Sequence, residues 1–240
     1  MTLLFRDDPT LRRCAATVTA VEDGAVRLDR TVFYATSGGQ PGDCGLLRFD
    51  GGTIEVAEAV KGDGPEDILH RLADGATAPE IGTEVEAQID WDRRHRHMRM
   101  HTALHLMCAC IEGDVTGGQI GAEKSRLDFN LPAGAIDKDA LAERLNALVA
   151  EDHPIATLWI TEEELAAQPQ LVRTLSVKPP SGSGRVRLVR IGPEGSPVDL
   201  QPCGGTHVAR TGEIGRLEVL KVENKGKQNR RVSIALAGDS

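Results

Sequence analysis

EVEAQIDWDRRHRHMRMHTALHLMCACI, residues 84–111, is where the chain changes period. Its opening, EVEAQID, is a strand-type run. From Trp91 the apolar residues Met100, Leu104, Met107, Cys108 and Ile111 recur at helical spacing, which predicts a helix over residues 91–111. Gly113 and the Gly117-Gly118 pair are expected to end it. This one switch separates a strand-rich first part from a mixed second part.

Upstream, AATVTAV, AVRL, TVFYA, GLLRF and TIEVAEAV are short runs rich in Val, Ile and Thr. The turn residues between them include Glu22-Asp23-Gly24, Ser37-Gly38-Gly39, Asp50-Gly51-Gly52 and Lys61-Gly62-Asp63-Gly64. Short strands at this spacing predict a small barrel or sandwich. Downstream, SRLDFNL (residues 125–131) reads as a strand and residues 137–151 as an amphipathic helix with Leu141, Leu145, Leu148 and Val149 on one face. Pro154 closes it. Residues 155–160 read as a strand, and Thr161 with Glu164 forms a capping box. Residues 186–191, 214–222 and 231–237 read as further strands, and Ser181-Gly182-Ser183-Gly184 as a flexible loop. The fold class expected is α+β: a small β-barrel-like domain, residues 1–90, followed by an α+β domain, residues 91–240, with helices on a largely antiparallel sheet.

The chain has 240 residues, 40% of them hydrophobic and 27% charged, as in ordinary globular proteins. No apolar run approaches the roughly 20 residues that cross a bilayer. Charges at Arg6, Asp7 and Asp8 interrupt the N-terminus, which excludes a signal peptide. A cytoplasmic, unprocessed protein is expected, monomeric and without a membrane partner. Five cysteines at irregular spacing, Cys14, Cys44, Cys108, Cys110 and Cys203, predict reduced thiols. The net charge of −8 disfavours nucleic acid at first sight. The acid, however, is concentrated in residues 1–90, with 8 Lys+Arg against 17 Asp+Glu, a net of −9; the remainder holds 20 and 19. Two basic runs stand out there: Arg93, Arg94, Arg96 and Arg99, and Lys221, Lys225, Lys227, Arg230 and Arg231. Such clusters can contact phosphates on an acidic protein, because salt screens distant charge beyond about 8 Å.

His101 and His105 stand at i and i+4, one helical turn apart on one face, so both can reach a single metal ion. Downstream, Cys203-Gly204-Gly205-Thr206-His207 offers a thiolate and a third imidazole, with two glycines that permit a tight backbone. Three neutral imidazoles and one thiolate form a tetrahedral set suited to Zn2+. Spacing alone also allows a His97–His101 pair, but His97 lies among arginines and, two turns away, about 11 Å from His105. Cys108 and Cys110 read as core. Residue 102 is threonine, so the glutamate base of His-Glu-x-x-His peptidases is absent and that reaction is excluded. A closed four-ligand site is normally structural, whereas catalytic zinc keeps a position open; both possibilities stand at this point.

Residues 31–45 (TVFYATSGGQPGDCG), 101–105, 117–129 (GGQIGAEKSRLDF) and 203–215 (CGGTHVARTGEIG), with the closing Gln228-Asn229-Arg230-Arg231-Val232, resemble the editing region of alanyl-tRNA synthetases. The resemblance spans nearly the whole chain and leaves no room for an aminoacylation domain. The chain is therefore similar to the freestanding alanyl-tRNA editing proteins, the AlaX family, in the longer form that carries the glycine-motif domain. The second domain would then be the zinc-binding editing domain common to threonyl- and alanyl-tRNA synthetases. The resemblance implies zinc ligands His101, His105, Cys203 and His207, and a catalytic pocket lined by Thr102 and Gln119. It also implies a loop at Gly38, Gly39 and Gln40 that packs on the editing site. Arg230 and Arg231 are candidates for tRNA phosphate contacts. Where many synthetase relatives carry serine after the residue matching Gly121, this chain has Ala122. The implied function is hydrolysis of the ester on Ser-tRNA(Ala), Gly-tRNA(Ala) or both. Two other classes are distinguishable: a tRNA-binding module with structural zinc would bind without hydrolysing, and a zinc hydrolase of a small ester or amide would ignore tRNA.

Overall fold

A computed structural model describes residues 1–64, 66–174 and 184–238; residues 181–183 of the expected Ser-Gly loop lie outside them. The chain divides into two compact units, Met1–His95 and Arg96–Ser240. The division falls one turn into helix α1 (Trp91–Cys110), the helix that the change of period predicts.

The first unit runs through β1 (Thr2–Leu3), β2 (Arg13–Glu22), β3 (Ala25–Leu28), β4 (Arg30–Thr31), β5 (Gly45–Phe49), β6 (Gly52–Lys61), β7 (Ile68–Leu72) and β8 (Glu84–Ile89). Six of these close into a barrel in the order β2-β3-β7-β6-β5-β8. Alternation along β8 buries Val85, Ala87 and Ile89, which join Val18, Leu28, Leu47 and Val56 in the barrel core. Register shifts at Val18/Ala20 in β2 and Val56/Glu58 in β6 supply the local bends that closure needs.

Two local readings change. TVFYA is not a ladder strand beyond Thr31, although Val32, Phe33, Tyr34 and Ala35 are all buried. Its backbone is satisfied by a crossing segment instead: Tyr34 N–H donates to the Asp43 carboxylate at 2.6 Å and Asp43 N–H to the Tyr34 carbonyl at 2.9 Å. The apolar content that suggested a strand reflects burial on all sides. Conversely, ILHRL forms β7 although His70 and Arg71 interrupt its apolar pattern. His70 is fully buried; its Nδ1–H donates to the Val26 carbonyl at 3.1 Å, so Nε2 accepts from the Thr31 hydroxyl at 2.8 Å.

Arg94 is the other buried polar feature of this unit. It is 0% and its partner Asp43 1% exposed. Its Nε meets Asp43 Oδ1 at 2.9 Å, a second nitrogen meets Oδ2, and the remaining donors reach the Val32 carbonyl at 2.7 Å and the Pro9 carbonyl at 2.9 Å. Arg94 therefore belongs to the interior and leaves the basic run in which it stands.

In the second unit, β9 (Val115–Gln119) and β10 (Lys124–Asn130) precede α2 (Lys138–Ala150), β11 (Ile155–Thr161), α3 (Glu162–Ala166), β12 (Arg185–Ile191), β13 (Asp199–Pro202), β14 (Leu217–Asn224) and β15 (Asn229–Leu236). One sheet has the order β14-β15-β10-β9, the other β11-β12-β13, each antiparallel. The Gly117-Gly118 pair lies inside β9 rather than in a helix stop. Asp137 caps α2 by accepting from Asp139 N–H and Ala140 N–H, and Thr161 with Glu164 forms the expected capping box on α3. Leu141, Leu145, Leu148 and Val149 are the buried face of α2. No helix among the described residues is long and apolar enough to cross a membrane.

Two stability predictions follow from the buried polar groups. Burial pushes the His70 pKa down to about 4, against the opposing hydrogen bond to Val26. The unfolded chain therefore takes up a proton between pH 6.5 and 4 that the native state refuses. The stabilisation is complete above pH 6.5 and about 3 kcal/mol is lost as the pH falls to 4. Urea midpoints measured across this range for the wild type and His70→Gln should diverge, with the variant showing the shallower pH slope; parallel slopes would refute the assignment. Arg94→Ala strands the Asp43 carboxylate in the interior and should cost about 3–5 kcal/mol of unfolding free energy. A loss under about 1 kcal/mol would contradict the ion pair's place in the core.

Candidate metal centre

Two periodicities meet at one point in the second unit. On α1, the i, i+4 spacing brings His101 and His105 onto one face, with ring centroids 5.3 Å apart. On the strand side, Asp199, Gln201 and Cys203 alternate along one face of the β11–β12–β13 sheet, because successive strand residues point to opposite sides. Cys203 N–H donates to the Arg187 carbonyl at 3.1 Å, which continues the β12–β13 pairing one residue past Pro202. The chain then turns through the two glycines and returns His207 to the cluster, its ring 4.3 Å from that of His101 and 4.7 Å from that of His105. Arg187 holds this turn by donating through one nitrogen to the Cys203 and Gly205 carbonyls, both at 2.9 Å.

One ligand atom from each of His101, His105, Cys203 and His207 lies within 4.8 Å of the others. Cys203 Sγ is 3.4 Å from His101 Nε2 and 3.3 Å from His207 Nε2. A tetrahedral ion with Zn–S of 2.3 Å and Zn–N of 2.0–2.1 Å would set such edges at about 3.6 Å, so the donor set and its spacing fit zinc. His97, though buried, is not a member of the cluster.

The imidazoles are oriented from behind. The Thr102 hydroxyl donates to the Met98 carbonyl at 2.9 Å, so its oxygen accepts from His207 Nδ1–H at 3.1 Å. The Asp199 carboxylate accepts from His105 Nδ1–H at 2.8 Å and from the Gln201 amide at 2.9 Å. Both rings thus carry their proton on Nδ1 and direct Nε2 to the centre. Gly205 N–H points at Cys203 Sγ at 3.4 Å. Burial disfavours a charged thiol at Cys203, yet His101 and His207 beside it hold its pKa well below the ordinary value. His207 is kept neutral, first by burial and then by its neighbour His101. Burial also opposes a charge on His105, but Asp199 and Cys203 together raise its pKa to about 10. The thiolate and a neutral His207 are the forms that donate electron pairs to a metal; His105 would release a proton on joining them.

The remaining expected residues fall elsewhere. Thr102 is fully buried behind His207, with its hydroxyl bonded to the Met98 carbonyl and to His207 Nδ1. Gln119 is exposed on β9, its amide oxygen 3.4 Å from Arg126 Nε. In the first unit, Gly38 and Gly39 have φ of 56° and 83°, and Ser37 and Gln40 exchange backbone hydrogen bonds at 3.0 and 2.9 Å. This is a type I′ turn, whose two positive φ angles favour glycine. Gln40 is buried. Arg230 is 2% exposed and donates to the carbonyls of Gly226, Lys227 and Asn229, closing the turn between β14 and β15. Arg231 forms a two-pronged pair with Asp128 at 2.7 and 2.8 Å. Arg230 is thus enclosed, whereas the Arg231 side chain remains 28% exposed beside Asp128. Asp199, Gln201 and Arg187 escaped the sequence reading, which saw no strand before Cys203. The signal was present as the i, i+2, i+4 alternation of Asp199, Gln201 and Cys203.

Residues 186–233 match the family described as the threonyl and alanyl tRNA synthetase second additional domain, and residues 9–93 match tRNA synthetases class II (A). The chain is 41% identical to the alanyl-tRNA editing protein AlaX-M of Methanosarcina acetivorans, with 98% of each chain covered. It is 35% identical to that of Saccharolobus solfataricus, covering 95% of this chain and 96% of the relative. To the alanine–tRNA ligase of Pyrobaculum arsenaticum it is 38% identical over 92% of its own length but only 25% of the ligase. Similarity end to end with the freestanding proteins, and to one quarter of the ligase, gives the assignment: this chain belongs to the alanyl-tRNA editing protein AlaX-M family.

Proposed function

We propose that the chain is a trans-editing hydrolase that deacylates tRNA(Ala) mischarged with serine or glycine, with Zn2+ held by His101, His105, Cys203 and His207. The observation that carries this reading is the convergence of four ligand atoms within 4.8 Å in a chain related over its full length to editing proteins. The need for a second sieve is physical. A pocket built for alanine cannot exclude the smaller glycine and rejects serine poorly, since one small group is worth only about 1–3 kcal/mol. Hydrolysis after charging removes the products that binding lets through.

His101, His105, Cys203 and His207 would hold the ion, and one thiolate with three neutral imidazoles would leave it a net positive charge, the Lewis-acid chemistry that ester hydrolysis calls for. The protein's own part is orientation. Asp199 and Thr102 fix the tautomers of His105 and His207, and Arg187 holds the Cys-Gly-Gly-Thr-His turn in place. Thr102, whose hydroxyl lies between the Met98 carbonyl and His207, and Gln119 on β9 are the residues proposed to line the amino-acid pocket. Among the expected basic residues, Lys221 and Lys227 are exposed and available to phosphate, whereas Arg230 is enclosed. A set of four protein ligands also suits structural zinc, so the binding-module reading is kept as the second outcome of the test.

Purified protein incubated with Ser-tRNA(Ala), Gly-tRNA(Ala) and Ala-tRNA(Ala) should release serine or glycine at least tenfold faster than alanine. A Cys203→Ala variant that remains folded should be inactive. A folded, zinc-loaded wild type that leaves all three intact would sink the deacylase and favour the binding module. The orienting residues have their own signature: Thr102→Val and Asp199→Ala should each weaken zinc affinity about 10–100-fold in chelator competition, while Thr102→Ser stays close to wild type. Unchanged affinity in both would contradict the orienting roles.

A further inference from the structure

The sheet face that carries Asp199, Gln201 and Cys203 continues past them. Trp159 on β11 is the direct partner of Arg187 on β12, and the backbone bond from Cys203 to Arg187 sets Cys203 beside the same residue. Direct partners across an antiparallel ladder point to the same face. Trp159, Arg187 and Cys203 therefore stand in a row across the sheet. At about 4.8 Å per strand, the indole lies roughly 10 Å from the thiolate along the surface. The middle member is immobilised: Arg187 is 6% exposed and bonded to the metal-site turn.

The outer member is open. Trp159 is 38% exposed, and the Arg185 guanidinium carbon lies 5.6 Å from the centre of its ring. The opposite face of the same sheet is a packed core around Leu158, Val186 and Leu188, a cluster to which Trp159 does not belong. An aromatic ring and a guanidinium at an open surface, aligned with a hydrolytic centre, make a stacking platform for a nucleobase. The aminoacyl ester sits on the terminal ribose of tRNA, so the base of that nucleoside must rest a short, fixed reach from the metal. Single-stranded nucleotides offer unstacked bases to such platforms.

We infer that Trp159, assisted by Arg185, stacks on the terminal nucleobase of the tRNA acceptor strand while the ester lies at the metal centre. This rests on the deacylase reading, and the test separates the two. Binding of a non-hydrolysable amide analogue of 3′-seryl adenosine, and of the same analogue without its base, is measured by calorimetry on zinc-loaded protein. Trp159→Ala should weaken binding of the adenosine analogue roughly 10–100-fold with zinc content unchanged, and Trp159→Phe should retain most of it. The baseless analogue should bind the wild type and Trp159→Ala alike. Equal binding of the adenosine analogue by wild type and Trp159→Ala, or no preference of the wild type for the base, overturns the platform. If the wild type still hydrolyses mischarged tRNA in that case, the platform alone has failed. Absence of hydrolysis by the wild type counts against the deacylase reading instead.

Discussion

Burying three imidazoles and a thiolate within 4.8 Å of one another is the constraint on which the second unit depends. Each group loses its hydration, and a buried polar group without a partner costs several kcal/mol at the upper end of the range. The surrounding structure answers that cost atom by atom. The carboxylate of Asp199, the hydroxyl of Thr102 and the amide of Gly205 each face a ligand from the side away from the centre. The order of elements follows from this: a helix supplies two members of the cluster, a strand end supplies the third, and a glycine turn returns the fourth.

The strand end shows how one backbone can carry two tasks. Along β13 and its continuation, alternate residues face the His/Cys cluster, while Leu200 between them packs with the sheet's apolar core. The register with β12 then places Arg187 level with Cys203, where its guanidinium can tie the turn. Arg187 is thus a structural cation, like Arg94 in the barrel unit and Arg230 at the turn between β14 and β15. All three are nearly or fully buried, and all three satisfy backbone carbonyls. The planar guanidinium, with five donors, suits such clamps better than lysine does.

This use of arginine also explains why charge counting along the chain misleads. Arg94 lies in a basic run but pairs with Asp43, 51 residues away. Arg231 lies in another and pairs with Asp128, 103 residues away. A run of cations describes a surface only if each side chain reaches solvent. Here chain closure takes Arg94 and Arg230 inward, and the field available to a polyanion is smaller than the run suggests.

The sequence by itself determined the strand-rich first part, helix α1, helix α2, the capping box of α3, and the two motifs whose His101, His105, Cys203 and His207 converge. All rest on local rules: a helical turn brings i and i+4 together, alternation marks a half-buried strand, and two glycines permit a tight return. Tertiary structure alone decided the partners of those residues. Asp199 finds His105 across 94 positions, and Thr102 finds His207 across 105. It also decided that TVFYA would be buried without forming a ladder and that His70 would sit inside a barrel strand. Such pairings arise when a closed barrel and a packed sheet leave polar groups without water. Each must then take whichever partner the fold brings within reach, at whatever distance along the chain.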